Sequence, residues 1–235
     1  MSEQRRGMQE LRIEMPSDTG TFHLEGRLSI PENPQGIIIF AHGSGSSRFS
    51  PRNQYVAEVL NKDGLSTLLV DLLTTEEEKI DNQTRQYRFD IPLLSRRLIG
   101  CIDWARENSD IKNLKLGLFG ASTGSAAALI ASSERPNAVS VFVSRGGRSD
   151  LVSSDFLAKV KAPTLFLIGE NDTQLIDLNS RTLTDLKNVE KKKLTVIPGA
   201  SHLFEEPGKL EQVARIASGW FRCYFLIEEH ARRSN

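Results

Sequence analysis

Two textures of hydrophobicity divide the chain. The first thirty residues hold two alternating segments, "ELRIEM" (10–15) and "TFHLEGRLSI" (21–30), joined by "PSDTG", whose Pro, Asp and Gly are turn formers. A period of two turns one face of each segment to an apolar neighbour and the other to water, so the pair reads as an antiparallel hairpin. Beyond residue 35 the apolar positions stop alternating and come in short unbroken runs: "GIIIFAH", "STLLVDLL", "KLGLFGA", "AVSVFVS", "PTLFLIG" and "KLTVIPG". A strand that is apolar on both sides must be covered on both faces. That is the condition of a parallel sheet with crossover helices above and below it.

Helical period fills the gaps at 51–63, 91–108, 122–134, 175–188 and 206–228. In the last, Val213, Ile216, Ala217, Trp220 and Tyr224 recur at three and four residues and form a face able to dock on the sheet. The stretch "TTEEEKIDNQTRQYRFD", 74–90, is too polar for either pattern and is expected to be one long connection. Long loops after parallel strands tend to lie beside a ligand site. There is no internal repeat or linker, so the expectation is a flexible terminus at 1–8 and one α/β domain at 9–230: a mostly parallel sheet with an N-terminal antiparallel hairpin and helices on both faces.

Composition narrows the function. At 235 residues and 39% hydrophobic, the chain is long enough for one well-buried domain. Thirty basic residues balance thirty acidic ones, so no net field attracts nucleic acid or an anionic membrane. The runs "EEEK" (76–79) and "KKK" (191–193) read as solvated surface. Cys101 and Cys223 do not make a disulfide framework, the opening "MSEQRRGMQE" lacks a signal-like apolar core, and no apolar run reaches membrane-span length. The expectation is a soluble cytoplasmic protein with no nucleic-acid or membrane partner.

The chemistry centres on "KLGLFGASTGSAAALI", 115–130, where an apolar run ending in Gly-Ala-Ser-Thr-Gly turns directly into an alanine-rich helix. This fits a nucleophile elbow, a tight turn that presents Ser122 and needs small neighbours at Gly120 and Gly124. The new helix aims its first N–H groups at any oxyanion formed there, and Thr123 N–H is the expected donor. A serine so placed needs a base, and the base an orienting acid, each just past a later strand. "ENDTQLI" puts Asp172 after one such run, with Glu170 and Asp177 as alternatives, and "ASHLF" puts His202 after the last. Of the other histidines, His23 lies on a strand, His230 in the tail and His42 at the head of "HGSGSSRFSPRN".

That segment reads in two ways. Gly43 and Gly45, with Asp71 after the next strand, resemble a dinucleotide-binding unit, but Arg48 occupies the position of the third glycine. The competing reading makes the turn a second oxyanion donor through Ser44 N–H, with His42 bracing it by hydrogen bonding. The motifs "HGSGSS", "GASTGSAAAL", "GEND" and "GASH", in this order over nearly the whole chain, resemble the α/β-hydrolase superfamily and its small dienelactone hydrolase-like branch. The resemblance implies a serine hydrolase with Ser122 as nucleophile, His202 as base, Asp172 as acid, and Ser44 and Thr123 as oxyanion donors. It departs from dienelactone hydrolases in having serine where they carry cysteine. The stretch between "AVSVFVS" and "PTLFLIG" is too short for the helical cap of many relatives.

An open site favours small soluble esters. Loop arginines at 48, 52, 85, 88, 145 and 148 are placed to bind a carboxylate or phosphate, and Arg48, beside the oxyanion turn, ranks first, with His42 a second candidate for substrate contact. No cofactor or metal is implied. The expected activity is hydrolysis of carboxylic esters. Thioester, amide or peptide cleavage by the same residues, or a non-catalytic nucleotide- or ligand-binding domain, are the alternatives.

Overall fold

The computed structural model describes residues 7–17 and 20–233. Asp18 and Thr19 of the expected turn, and residues 1–6 of the expected flexible terminus, lie outside the described residues. Strands β1 (Gly7–Ser17) and β2 (Gly20–Ile30) pair antiparallel over their full length, from Gly7↔Ile30 to Ser17↔Gly20. β2 then joins the sheet through β4 (Ser66–Val70), again antiparallel. β3 (Ile37–Ala41), β5 (Leu116–Ala121), β6 (Val139–Arg145), β7 (Thr164–Gly169) and β8 (Lys192–Ile197) run parallel to β4. The eight strands lie in the order β1-β2-β4-β3-β5-β6-β7-β8.

The unbroken apolar runs have their explanation in two cores, one on each face of this sheet. Ile37, Ile39, Leu116, Leu118, Phe142 and Phe166 face α3 (Ile91–Glu107) and α4 (Thr123–Glu134). Their sequence neighbours Ile38, Phe40, Phe119, Val141 and Leu165 face α1 (Pro51–Lys62) and α7 (Lys209–Arg233). Burying each such side chain contributes about 1.5–3 kcal/mol against exposure, which the helices can supply only from both sides. On α7 the buried stripe is Val213, Ala214, Ala217, Phe221 and Phe225. Ile216, Trp220 and Tyr224 lie on its shoulder, the two aromatic rings 4.7 Å apart. The expected face is thus rotated by about one residue, with the rings that carry polar tips placed toward the rim.

The 74–90 connection is not a plain loop: it contains α2 (Thr75–Thr84). Thr74 Oγ1 accepts from Glu77 N at 3.2 Å, and Glu77 Oε2 accepts from Thr74 N at 2.8 Å, a reciprocal cap. Between β6 and β7 the chain makes only a 3-10 turn (Ser149–Leu151) and the four-residue α5 (Ser154–Leu157), so no helical cap is inserted there. α6 (Thr173–Asp185) completes the layer beside β7 and β8.

Candidate active site

Ser122 stands between the last residue of β5 and the first of α4, with φ 50° and ψ −120°. A side chain in that region costs about 1–3 kcal/mol and persists only where surrounding bonds fix it. Here Ser122 N–H donates to Arg145 O at 3.1 Å, and Ser122 O accepts from Ser125 N at 3.0 Å and Arg148 N at 3.1 Å. Both flanking glycines are sterically required. A Cβ on Gly120 would lie 2.5 Å from Ser125 Cα, and one on Gly124 would strike the carbonyl oxygens of Ala41 and His42.

Two further strand ends deliver the other side chains. Asp172 is the N-cap position of α6, yet its carboxylate does not cap the helix. Oδ2 lies instead 2.6 Å from Nδ1 of His202, in the loop after β8. The His202 ring rests on Gly146, where an added Cβ would approach Cε1 to 3.2 Å. Ser122, Asp172 and His202 line one cleft of about 320 Å³, together with Arg148, Gln174 and Leu178. The alternative acids are elsewhere: Glu170 accepts from Gly199 N at 2.7 Å, and Asp177 points to solvent from α6.

His42 follows β3 and is buried. Leu72 N–H donates to its Nε2 at 3.0 Å, so the ring proton sits on Nδ1, which donates to Gly43 O at 2.9 Å. Burial holds its pKa below the usual histidine range, against weaker upward pulls from Gly43 O, Asp71 and Glu78. A neutral imidazole with both nitrogens occupied has nothing left for a substrate, so the expected substrate contact by His42 is replaced by a bracing one. Because the peptide is trans and planar, turning Gly43 C=O toward His42 turns Ser44 N–H the opposite way. Gly43 itself packs on the Ser122 turn, where a Cβ would come within 3.1 Å of Ser122 Cβ. At the start of α4, Thr123 N–H has no intrahelical acceptor.

Arg48 does not line the cleft. Its backbone N–H donates to Asp71 Oδ1 at 2.5 Å, its Nη1 pairs with Asp71 Oδ2, and its Nε meets Glu10 Oε2 at 3.2 Å. Two carboxylates neutralise it, and it holds the turn in shape instead of reaching a ligand. Asp71, the ribose ligand on the dinucleotide reading, is consumed by the same contact. The arginine in the cleft is Arg148, bonded through Nε and Nη2 to Asp150 at 2.8 Å each. A second cavity of about 40 Å³ adjoins the turn after β3, lined by Ser44, Ser46, Glu78, Asn82 and Arg88. Its far wall is α2, which the polar pattern concealed; the Thr74-x-x-Glu77 signature was the readable sign of that helix.

A sheet with this order, a strained serine at the end of β5, and an acid and a histidine brought together past β7 and β8 define an α/β hydrolase. A family model described as an alpha/beta hydrolase domain matches residues 34–216, and the chain belongs to that family. Within it the chain is dienelactone hydrolase-like: it is 53% identical to a dienelactone hydrolase from Anabaena variabilis, with a TM-score of 0.87, covering 93% of this chain and 99% of that one. An esterase from Pyrococcus furiosus, 17% identical, has the same fold at a TM-score of 0.71, over 93% and 92% of the two chains. Two Mycobacterium tuberculosis proteins named "Putative phosphoribosyl transferase" are 51% identical over 202 residues, 86% of this chain. The chain spans 44% of the length of those relatives.

Proposed function

We propose that this hydrolase cleaves carboxylic esters of small soluble substrates through an acyl-enzyme on Ser122. The observation that carries the reading is the 2.6 Å contact between His202 Nδ1 and Asp172 Oδ2 in the cleft that Ser122 lines. Asp172 keeps the proton of His202 on Nδ1 and leaves Nε2 free to take the hydroxyl proton of Ser122. As Ser122 Oγ adds to the ester carbonyl, the oxygen takes up negative charge, and the N–H groups of Ser44 and Thr123 are the donors assigned to it. His202 returns its proton to the departing alcohol. Water, deprotonated by the same histidine, then releases the acid.

The short β6–β7 connection and the polar cleft support small soluble esters over long acyl chains. The assigned groups act on the acyl carbon and its oxygen and do not read the leaving atom, so the ester is chosen from the esterase and dienelactone hydrolase names of the similar structures. Labelling by a fluorophosphonate, together with turnover of a short-chain activated ester, tests the reading. Wild-type protein labels rapidly, and Ser122→Ala abolishes labelling and lowers kcat on the order of 10⁴-fold or more with the fold intact. A folded Ser122→Ala protein with wild-type turnover overturns the mechanism.

A further inference from the structure

Arg145, the last residue of β6, has a side chain that no ordinary structural role accounts for. It is only 8% exposed, and among the described residues its one hydrogen bond is a long one, Nη2 to Asn53 Oδ1 at 3.4 Å. Nη1 is buried with no hydrogen-bond partner. The guanidinium reaches α1 at its first turn, and the charged neighbour that acts on it there is a second cation, Arg52. Burial and that neighbour pull its pKa down to about 10. Arg52 spends Nη1 on Glu205 at 2.7 Å on its outer side and leaves Nε buried without a partner. The end of α1, capped by Ser50 and opened by Pro51, adds the positive end of its backbone dipole to the two guanidinium groups.

Buried guanidinium groups in proteins are paired, because an uncompensated charge out of water is strongly destabilising. Two of them acting on one another, with buried N–H groups unbonded at a helix N-terminus, have the donor chemistry of an oxyanion site. We propose that Arg145, Arg52 and the first turn of α1 bind a small oxyanion of the carboxylate or phosphate class, between β6 and α1. This site lies beside the ester cleft, whose lining does not include Arg145 or Arg52. It is nonetheless wired to it, since Arg145 O receives Ser122 N–H and the next residue, Gly146, supports His202.

The proposal is tested without turnover, so it stands or falls apart from the hydrolase mechanism. Thermal unfolding is followed in increasing sodium phosphate, with ionic strength held constant by sodium chloride, whose anion is not an oxyanion. Wild-type Tm rises with the logarithm of phosphate concentration above the dissociation constant, by roughly 3–6 °C at about ten times that constant. Arg145→Met keeps the volume and removes the charge. It loses the rise and, in phosphate-free buffer, is as stable as wild type or more so. Arg52→Gln, at a partly exposed position, weakens the response at least tenfold in phosphate concentration and serves if Arg145→Met fails to fold. A flat wild-type curve, or parallel rises in wild type and Arg52→Gln, overturns the proposal. So does an Arg145→Met protein that is less stable than wild type at every phosphate concentration and rises in parallel with it. Competition then separates the two sources of the anion: phosphate that slows only a carboxylate-bearing ester marks a substrate group, and phosphate that shifts Tm without affecting any ester marks a free anion.

Discussion

Replacing His42 with leucine isolates the turn after β3, to which the proposed mechanism assigns an oxyanion donor, from the rest of the machinery. The imidazole accepts Leu72 N–H at 3.0 Å and donates to Gly43 O at 2.9 Å. Leucine fills a similar volume but leaves the Leu72 amide unpaired in a buried place, at about 1–3 kcal/mol. For a chain of this size that lowers Tm by roughly 2–12 °C. Gly43 O keeps one donor, Ser46 N–H at 3.2 Å, so the turn loosens and does not collapse. A full oxyanion donor is worth about 10²–10³ in kcat, so a Ser44 N–H that has lost its orientation costs on the order of 10–100-fold. KM changes little, because the donor acts mainly on the transition state. The assay is kcat and KM on an activated short-chain ester, well below both unfolding midpoints, with His42→Gln alongside because its amide can donate and accept in the same directions. Acid unfolding adds a signed check. Burial lowers the His42 pKa from its ordinary 6.5, so the fold favours the neutral ring; that stabilisation is complete above about pH 6.5 and is lost as pH falls through the folded pKa. The leucine variant lacks this part of the acid slope. Unchanged kcat in a folded His42→Leu protein refutes the bracing role.

Asp172→Asn is expected to lower kcat sharply, on the order of 10⁴-fold, with binding nearly unchanged, while Asp177→Asn stays near wild type; side-by-side kinetics with the reverse ranking would move the acid. Arg48→Gln leaves Asp71 without its cation, while Glu10 keeps Arg27 at 2.5 Å, and costs about 1.5–3 kcal/mol in urea unfolding. Its effect on kcat/KM is equal for an anionic ester and its neutral analogue, and a loss confined to the anionic ester would return Arg48 to the substrate.

The fold was legible where burial leaves a trace in composition. Runs such as "GIIIFAH" and "PTLFLIG" are apolar at every position because two helical layers demand it. α2 leaves no such trace: among its residues only Asp81 is buried, and it is held by its cap and by the Glu77–Arg97 pair at 2.6 Å. Ser122, Asp172 and His202 could be picked out because each follows an apolar run and small residues mark the turn. Arg48 was misjudged because its partners lie 38 and 23 residues away in the chain, and only the folded sheet brings Glu10 and Asp71 to it. Arg145 sat at the boundary of a run and read as a loop residue; strand pairing with Leu167 extends β6 to include and bury it.

The position of α7 governs how the chain reaches this structure during synthesis. It covers the sheet face that carries Phe40, Phe119, Val141 and Leu165, and it also packs on α1, more than a hundred and fifty residues earlier. Gly36 shows how closely it fits, since a Cβ there would overlap the ring of Phe225. Until residues 209–226 leave the ribosome, that face remains a broad apolar surface with half its cover missing. Such long-range closure is slow and leaves intermediates prone to associate. Nascent chains stalled before α7 should therefore engage chaperones, and emergence of α7 is the step that buries the second core.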